Sequence, residues 1–148
     1  MRRGSIEADR RSVSSTVMQI QQPERGAYRL ISGYGVGTLG VDGVDHADNI
    51  IVTRTRVIER WHVGDDPAAI TVDDFRALLD PPPEEERVEI LLLGTGAGHD
   101  FAPMRLTGEL AALGVALEVM STRAACRTYS VLVDESRPVA AALLQIRD

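Results

Sequence analysis

The sequence predicts an α/β fold in a single domain, in which an antiparallel β-meander precedes a βαβαβ unit. Between residues 28 and 63, β-branched residues and tyrosines stand between glycine-rich turns, a pattern typical of short antiparallel strands. The run VEILLLG at residues 88–94 is apolar at nearly every position, as expected of a strand buried on both faces. Helical segments and strands alternate after it. That order predicts parallel strands with right-handed crossovers, in a mixed sheet on which helices pack.

The segment IIVTRTRVIERW, residues 50–61, is predicted to be a strand with one solvent-exposed face. Its alternation places two sets of side chains on opposite sides: Arg54, Arg56 and Arg60 on one, and Thr53, Thr55 and Val57 on the other. Trp61 at its end is expected to be a core or edge anchor.

Two helices are predicted on either side of the apolar strand. The first begins with Thr71 as N-cap and ends at Asp80, because the run PPPEEER cannot continue a helix. The second is opened by Pro103 and ended by Gly114. Apolar residues recur at helical spacing in both, namely Phe75, Leu78 and Leu79 in the first and Leu106, Leu110 and Leu113 in the second.

The remaining elements complete the βαβαβ pattern. VALEVMS is predicted to be a strand, TRAACRTYSVLVDES a third helix capped by Ser121 or Thr122, and PVAAALLQI a last strand. The loops that leave the first two parallel strands, residues 94–100 and 121–122, must then lie side by side at one edge of the sheet. Ligands of open α/β sheets usually bind at that edge.

Composition excludes several classes of function. All 16 positive residues are arginines, and the absence of lysine rules out a Walker A loop, a Schiff-base enzyme and a kinase ATP lysine. A net charge of −6 disfavours nucleic-acid binding. The single cysteine, Cys126, permits no internal disulfide or Cys-x-x-Cys site and suits a reducing, cytoplasmic location.

The first residues predict a disordered tail over 1–25, ahead of one domain over 26–148. They are rich in Arg and Ser and lack the apolar core of a secretory signal. No apolar run approaches the ~18 to 20 residues that cross a bilayer, so a membrane-spanning protein is not expected.

The glycine loop at residues 94–98 has two interpretations. A dinucleotide fingerprint requires G-x-G-x-x-G running directly into a helix, but the sixth position here is His99 and the helix starts only at Pro103. Nicotinamide or flavin binding is therefore not predicted. The glycines either let two backbones approach closely or line a small crevice.

The third helix suggests what such a crevice could bind. Arg123 and Arg127 repel each other at i and i+4 near the positive end of the helix dipole, a conflict that calls for compensation. A small anion could compensate for this repulsion, and so could solvation or a salt bridge from Arg127 to Glu118 or Asp134. The residues expected to line this crevice are Gly94, Thr95, Gly96, Gly98, Thr122 and Arg127.

Weaker site candidates are Cys126, Tyr129 and His99. Cys126 lies near a helix N-terminus and an arginine, which would activate a nucleophile, but its helical stripe with Tyr129 favours packing in the core. His46, His62 and His99 have no second ligand at helical spacing, so no metal site is predicted.

The second half resembles a known α/β family. The segments EILLLGTG, ALGVALEVMST and AACRTYSVLVDESRPVAAALL are similar to the family of mitochondrial complex I (NADH dehydrogenase) assembly factor three and the adipogenesis-associated Mth-like domain, which has many uncharacterised bacterial members. The likeness covers roughly residues 28–146. Ser130 departs from the family, whose members often carry Asn after the tyrosine.

The resemblance implies a three-layer domain with a mixed sheet, with no established catalytic activity or cofactor. It implies a non-catalytic, assembly-factor-like protein that binds a protein partner of membrane-complex assembly machinery, through the arginine-bearing sheet face or the crevice rim. The alternative is a pocket for a small anion or metabolite, and this alternative leaves open whether the protein is an enzyme. Whether the protein forms a homo-oligomer is also left open.

Overall fold

The computed structural model describes residues 28–98 and 100–147, and its first three strands form a small antiparallel sheet of their own. These strands are β1 (Ile31–Gly35), β2 (Thr38–Val41) and β3 (Val44–His46). A two-residue turn, Asp42 and Gly43, joins β2 to β3, and both residues have positive φ, as a type I′ hairpin requires. The first three strands of the predicted meander thus form a sheet separate from the main one.

The segment predicted as one arginine-bearing strand is two strands and a turn, so that prediction was wrong. β4 (Ile50–Thr53) and β5 (Val57–Ile58) are antiparallel neighbours. The Thr53 hydroxyl accepts hydrogen bonds from the amides of Thr55 and Arg56 and so closes the turn.

The arginines of this turn do not form the predicted solvent-exposed face. Arg54 is only 7% exposed, forms a bidentate ion pair with Glu86 and lies over the ring of Tyr28, 4.5 Å from its centroid. Arg56 pairs with Glu85 at 2.9 Å. The turn and its acidic partners therefore fasten the segment before β6 to the end of β4.

The predicted helix after Thr71 forms in two short pieces. A 3-10 turn, Val72–Phe75, runs into α1 (Arg76–Leu79), and Thr71 and Asp74 form a capping box at its start. Asp80 ends α1, as predicted, ahead of the proline run. A further 3-10 turn spans Pro67–Ala69.

The second half forms the predicted βαβαβ unit. Its elements are β6 (Ile90–Gly94), α2 (Met104–Ala112), β7 (Ala116–Met120), α3 (Thr122–Asp134) and β8 (Val139–Leu143). β6 is parallel to both β7 and β8, and β4 joins β8 antiparallel, giving the strand order β5-β4-β8-β6-β7. The mixed sheet is confirmed.

Three layers result because consecutive residues of the central strands face opposite sides. Leu91 and Leu93 pack in the cluster that contains Trp61, Phe75 and the buried residues of α2. On the opposite face, the cluster beneath α3 and the small sheet consists of Leu39, Val41, Ile50, Val52, Leu92, Ala125, Cys126, Tyr129, Val133, Val139, Ala141 and Leu143. Trp61 is thus a core residue, and its indole donates to the carbonyl of Asp74.

The ends of the helices largely follow the predictions. Pro103 is the N-cap of α2, and Gly114 ends the segment with a φ of +83°. Leu113 was predicted to lie on the buried stripe, but α2 stops at Ala112, and the non-helical backbone of Leu113 leaves its side chain 49% exposed. The predicted tail, residues 1–25, lies outside the described residues, and the domain over 26–148 stays a prediction.

Tyr129 links the α3 layer to the strands. Its buried hydroxyl donates to the carbonyls of Arg29, at 2.8 Å, and Thr53, at 3.1 Å. Burial raises the pKa of this phenol, so it keeps the proton that both contacts need.

Replacing Tyr129 with Phe should lower the free energy of unfolding by about 1–3 kcal/mol, because two carbonyls lose a buried donor. Urea unfolding of the wild-type protein and the variant measures this change. Tyr34→Phe is the matched control, since it removes an exposed hydroxyl and should shift stability by less than about 0.5 kcal/mol. Equal losses in the two variants would contradict the proposed role of Tyr129.

Candidate functional site

The predicted crevice lies at the carboxyl edge of the sheet, where the parallel strands β6, β7 and β8 end. It consists of the loop Gly94–Gly98 and the first turn of α3, beginning at Thr122. These are the two loops that the strand order was expected to bring together. The structure places all the predicted glycine-loop residues and Thr122 in this one region.

Thr122 is the centre of this arrangement and is fully buried. Its hydroxyl accepts a hydrogen bond from the amide of Gly96 at 2.8 Å and donates one to the carbonyl of Leu144 at 2.7 Å. Its own amide donates to the carbonyl of Gly96 at 2.9 Å. One side chain therefore joins the loop after β6, the start of α3 and the end of β8.

Gly94 is required because the backbone of α3 passes directly over it. A Cβ atom at this position would lie 2.8 Å from Thr122 Oγ1 and 2.9 Å from Thr122 Cα, closer than real Cβ atoms come. Gly96 meets a second requirement, since its φ is +93°. Close backbone approach thus accounts for Gly94, and a turn conformation accounts for Gly96.

Thr95 folds the loop back on itself. Its buried hydroxyl lies 2.7 Å from the carbonyl of Gly98 and 3.1 Å from that of Met120, and it accepts from the amide of Asp100. The amide of Thr95 also donates to Met120. The chain itself therefore uses the hydroxyl of Thr95 and the amides of Thr95 and Gly96.

The N-terminus of α3 has little free capacity to bind an anion. Of the four amides from Thr122 to Ala125, three have partners: that of Thr122 bonds to Gly96, and those of Ala124 and Ala125 bond to the side chain and carbonyl of Ser121. Within the described residues, only the amide of Arg123 is left for an external group. Of the two caps that the sequence allowed, Ser121 and Thr122, Ser121 is the N-cap in the structure.

Arg127 is exposed, and its guanidinium donates to the hydroxyl of Tyr34 on β1 at 3.4 Å. None of the ion pairs that the structure gives for the described residues involves Arg127, and the salt bridge considered with Glu118 is not among them. No hydrogen bond within the described residues links Arg127 to the loop Gly94–Gly98 either. The structure thus brings the glycines and Thr122 together but directs Arg127 towards the small sheet.

Cys126 is 1% exposed and lies in the core beneath α3. Burial raises the pKa of its thiol to about 12, and the charge of Arg127 offsets only part of that effect. At neutral pH the side chain is a protonated thiol, which is a poor nucleophile. Nearby, Ser130 donates to the carbonyl of Cys126 at 3.2 Å, a bond within the helix.

Beside the crevice, Gln145 and Asn49 form a polar clamp that the sequence analysis missed. The backbone amide of Gln145 donates to Asn49 Oδ1. The side-chain nitrogen of Gln145 donates to the carbonyls of His46 and Asp48. This clamp fastens the β3–β4 connection to the segment after β8. Both residues stand far apart in the sequence with no motif around them, so no local signal identifies them.

Histidines contribute little to the described site. His46 offers its carbonyl to Gln145, His62 is exposed, and His99 lies outside the described residues. Among residues 28–98 and 100–147 there is no cluster of side chains able to hold a metal ion. Nor does any helix in these two ranges have the length and apolar character to cross a membrane.

Comparisons with known proteins agree with this fold. A family model described as a protein of unknown function (DUF498/DUF598) matches residues 31–144. An uncharacterised protein from Rhodobacter capsulatus is 40% identical over 114 residues, 77% of this chain and 82% of that protein. A Danio rerio protein named NADH dehydrogenase (ubiquinone) 1 alpha subcomplex assembly factor 3 is 31% identical over 131 residues, 87% of this chain and 71% of the relative. A solved Bordetella pertussis structure, described as a Mth938-like domain, has a TM-score of 0.69 and 29% identity, covering 88% of this chain and 94% of that one.

Replacing Gly94 with Ala should lower the free energy of unfolding by about 1–3 kcal/mol, because the new methyl group forces α3 away from β6. Denaturant unfolding measures the loss. Gly98→Ala is the matched control in the same loop, since a Cβ there has no neighbour within 4 Å, and its effect should stay within about 0.5 kcal/mol. A stable Gly94→Ala protein would show that the close approach is not a constraint.

The thiol of Cys126 should resist an aromatic disulfide reagent in the native protein at pH near 8 and react at once after unfolding in urea. Because its pKa rises from 9.0 to about 12 on folding, the unfolded chain loses this proton first as the pH increases. The contribution of Cys126 to stability should therefore be complete below pH 9.0 and decline towards pH 12. Cys126→Ala should lack that part of the pH dependence, and rapid labelling of the native protein would contradict the burial argument.

Proposed function

This chain belongs to the family of proteins of unknown function DUF498/DUF598, and from that membership we propose that it is a non-catalytic interaction domain that assists the assembly of a multi-subunit complex. The relative from Danio rerio carries the name of an assembly factor for NADH dehydrogenase. A protein partner belonging to such assembly machinery is the corresponding proposal for this chain.

The observation that carries the proposal is the internal closure of the crevice. Thr95 and Thr122 use their hydroxyls on backbone groups of this chain, and Cys126 is a buried, protonated thiol. An acid, a base or a nucleophile poised beside an open pocket would favour an enzyme. The crevice is built instead as a rigid junction that holds its rim in place.

The rim supplies a contact surface. Phe101, on the connection from β6 to α2, is 83% exposed, and Met104, the first residue of α2, is 91% exposed. Large apolar side chains with this exposure are typical of sites that other proteins cover. This rim replaces the arginine-bearing sheet face as the proposed contact surface, because Arg54 and Arg56 are held by Glu86 and Glu85.

Capture experiments in the native cell test the proposal. The tagged full chain, crosslinked before lysis, should recover a subunit of a multi-subunit complex. The double variant Phe101→Ser, Met104→Ser should reduce recovery about 30-fold, as loss of a hot spot worth about 2 kcal/mol does. Leu113→Ser with Val131→Ser is the matched control, since it removes two exposed apolar side chains away from the rim, one just after α2 and one on α3. Equal recovery from all three proteins, or no partner at all, would refute the assignment.

A small-anion site is the second candidate function, and the exposed charge of Arg127, not the glycine loop, favours it. The guanidinium donates to the hydroxyl of Tyr34, and none of the ion pairs given for the described residues involves Arg127. A thermal-shift panel of phosphate and carboxylate metabolites, with Arg127→Ala beside the wild type, separates the candidates. A compound that stabilises the wild type but not the variant would support this site and reopen the question of an enzyme.

A further inference from the structure

Within the described residues, no strand pairs with the outer side of β7, which forms one long edge of the main sheet. The strand order places β7 beyond β6 at one side, and the opposite edge strand, β5, has only two residues. β7 has five residues, Ala116–Met120, that pair with β6 in an uninterrupted parallel register. A regular edge of this length can accept another strand.

The register identifies which backbone groups face outwards. The amide of Ala116 donates to Glu89, and the carbonyl of Met120 accepts from Thr95, so alternate residues of β7 turn towards β6. The amides and carbonyls of Leu117 and Val119 therefore point away from the sheet. No hydrogen bond from the described residues reaches them.

The side chains of this edge define what it can accept. Leu117 and Val119 pack into the core below α2, while Glu118 is exposed on the other face. Within the described ranges Glu118 has no ion-pair partner. A strand laid along β7 would place a side chain directly opposite this carboxylate, where an opposite charge stabilises the pair and a like charge destabilises it.

We propose that the edge of β7 binds an extended segment of a partner protein that carries a basic residue opposite Glu118. Main-chain bonds to Leu117 and Val119 supply the affinity, and the charge pair fixes the register. This inference rests on the proposed function in one respect, that the partner is a protein. It adds the mode of recognition and the chemistry of the recognised segment.

The same carboxylate disfavours a second copy of this chain as the occupant. An antiparallel two-fold pair that uses the outward groups of Leu117 and Val119 on both strands is centred on residue 118. The two Glu118 side chains would then face each other at the distance of a cross-strand pair, and like charges at that distance destabilise the contact. The edge therefore selects a different strand.

A peptide experiment tests the inference without knowledge of the natural partner. The probe is a capped peptide of alternating Thr and Val with one central Arg, and the matched peptide carries Glu in place of Arg. Hydrogen exchange followed by NMR should show rapid exchange of the Leu117 and Val119 amides in the free protein. Saturation with the Arg peptide should slow both at least about tenfold.

The charge preference is measured with variants of the protein. Wild-type protein should bind the Arg peptide about three to ten times more tightly than the Glu peptide, and Glu118→Arg should reverse the preference. Glu109→Arg is the matched control, because it makes the same charge change on the exposed face of α2 and should leave the preference intact. The Arg peptide with its central amides N-methylated should not bind.

Three outcomes of the peptide experiments would overturn the inference: no protection of the two amides, binding by the N-methylated peptide, or a peptide preference that Glu118→Arg does not reverse. A wild-type dimer that Glu118→Arg abolishes would also overturn it, because the edge would then belong to a second copy of this chain.

Capture from the native cell distinguishes this inference from the proposed function. If the partner is lost from the Phe101 and Met104 variant but kept by Glu118→Arg, the edge inference fails and the proposed function stands. If the peptide binds as expected and no partner is captured, the proposed function fails and the strand-binding edge stands.

Discussion

The contact between Gly94 and Thr122 is the constraint on which the rest of the structure depends. A helix that begins immediately after β7 can cover the central strand only if its first turn touches the end of β6, and Gly94 permits that approach. The Thr122 hydroxyl then uses the proximity to bond both the adjacent loop and the end of β8. Because three segments meet at one buried side chain, the position of α3, the shape of the loop and the end of the sheet are set together.

A second group of buried polar contacts holds the outer layer in place. Tyr129 reaches from α3 to the carbonyl of Arg29, just before the small sheet, and to that of Thr53, at the end of β4. Gln145 reaches from the segment after β8 to the β3–β4 connection. The ion pair of Arg54 and Glu86 likewise fastens the segment before β6 to the turn after β4. Apolar packing brings these layers together without fixing their alignment, and each polar contact has only one geometry that satisfies it. The small sheet is thus held at defined points over the second core.

Local patterns in the sequence predicted the second half well and the first half less well. Helical spacing predicted the buried stripe of α3 and limited its cap to Ser121 or Thr122, because such signals depend on neighbours within a few residues. The alternation of arginines wrongly predicted a solvent-exposed Arg54, because the burial of this side chain depends on the Thr53 turn and on Glu86, 32 residues away. In the crevice, the glycines are visible as a motif, but the hydroxyl that accepts the hydrogen bond of the Gly96 amide lies 26 residues further on. Gln145 and Asn49, separated by 96 positions, could not be paired from a single sequence at all.

The strand order also determines when the sheet can be completed. β4 lies between β5 and β8, so one of its two edges remains unpaired until the last strand, Val139–Leu143, is available. The polar contacts that align the layers likewise join positions close to a hundred residues apart, as Tyr129 to Arg29 and Gln145 to Asp48 show. Contacts of such long sequence separation form late and slow the folding of a chain. During synthesis, the apolar edge of β4 is therefore exposed until residues 139–143 have emerged, and that interval is when this chain is most open to aggregation or to help from a chaperone.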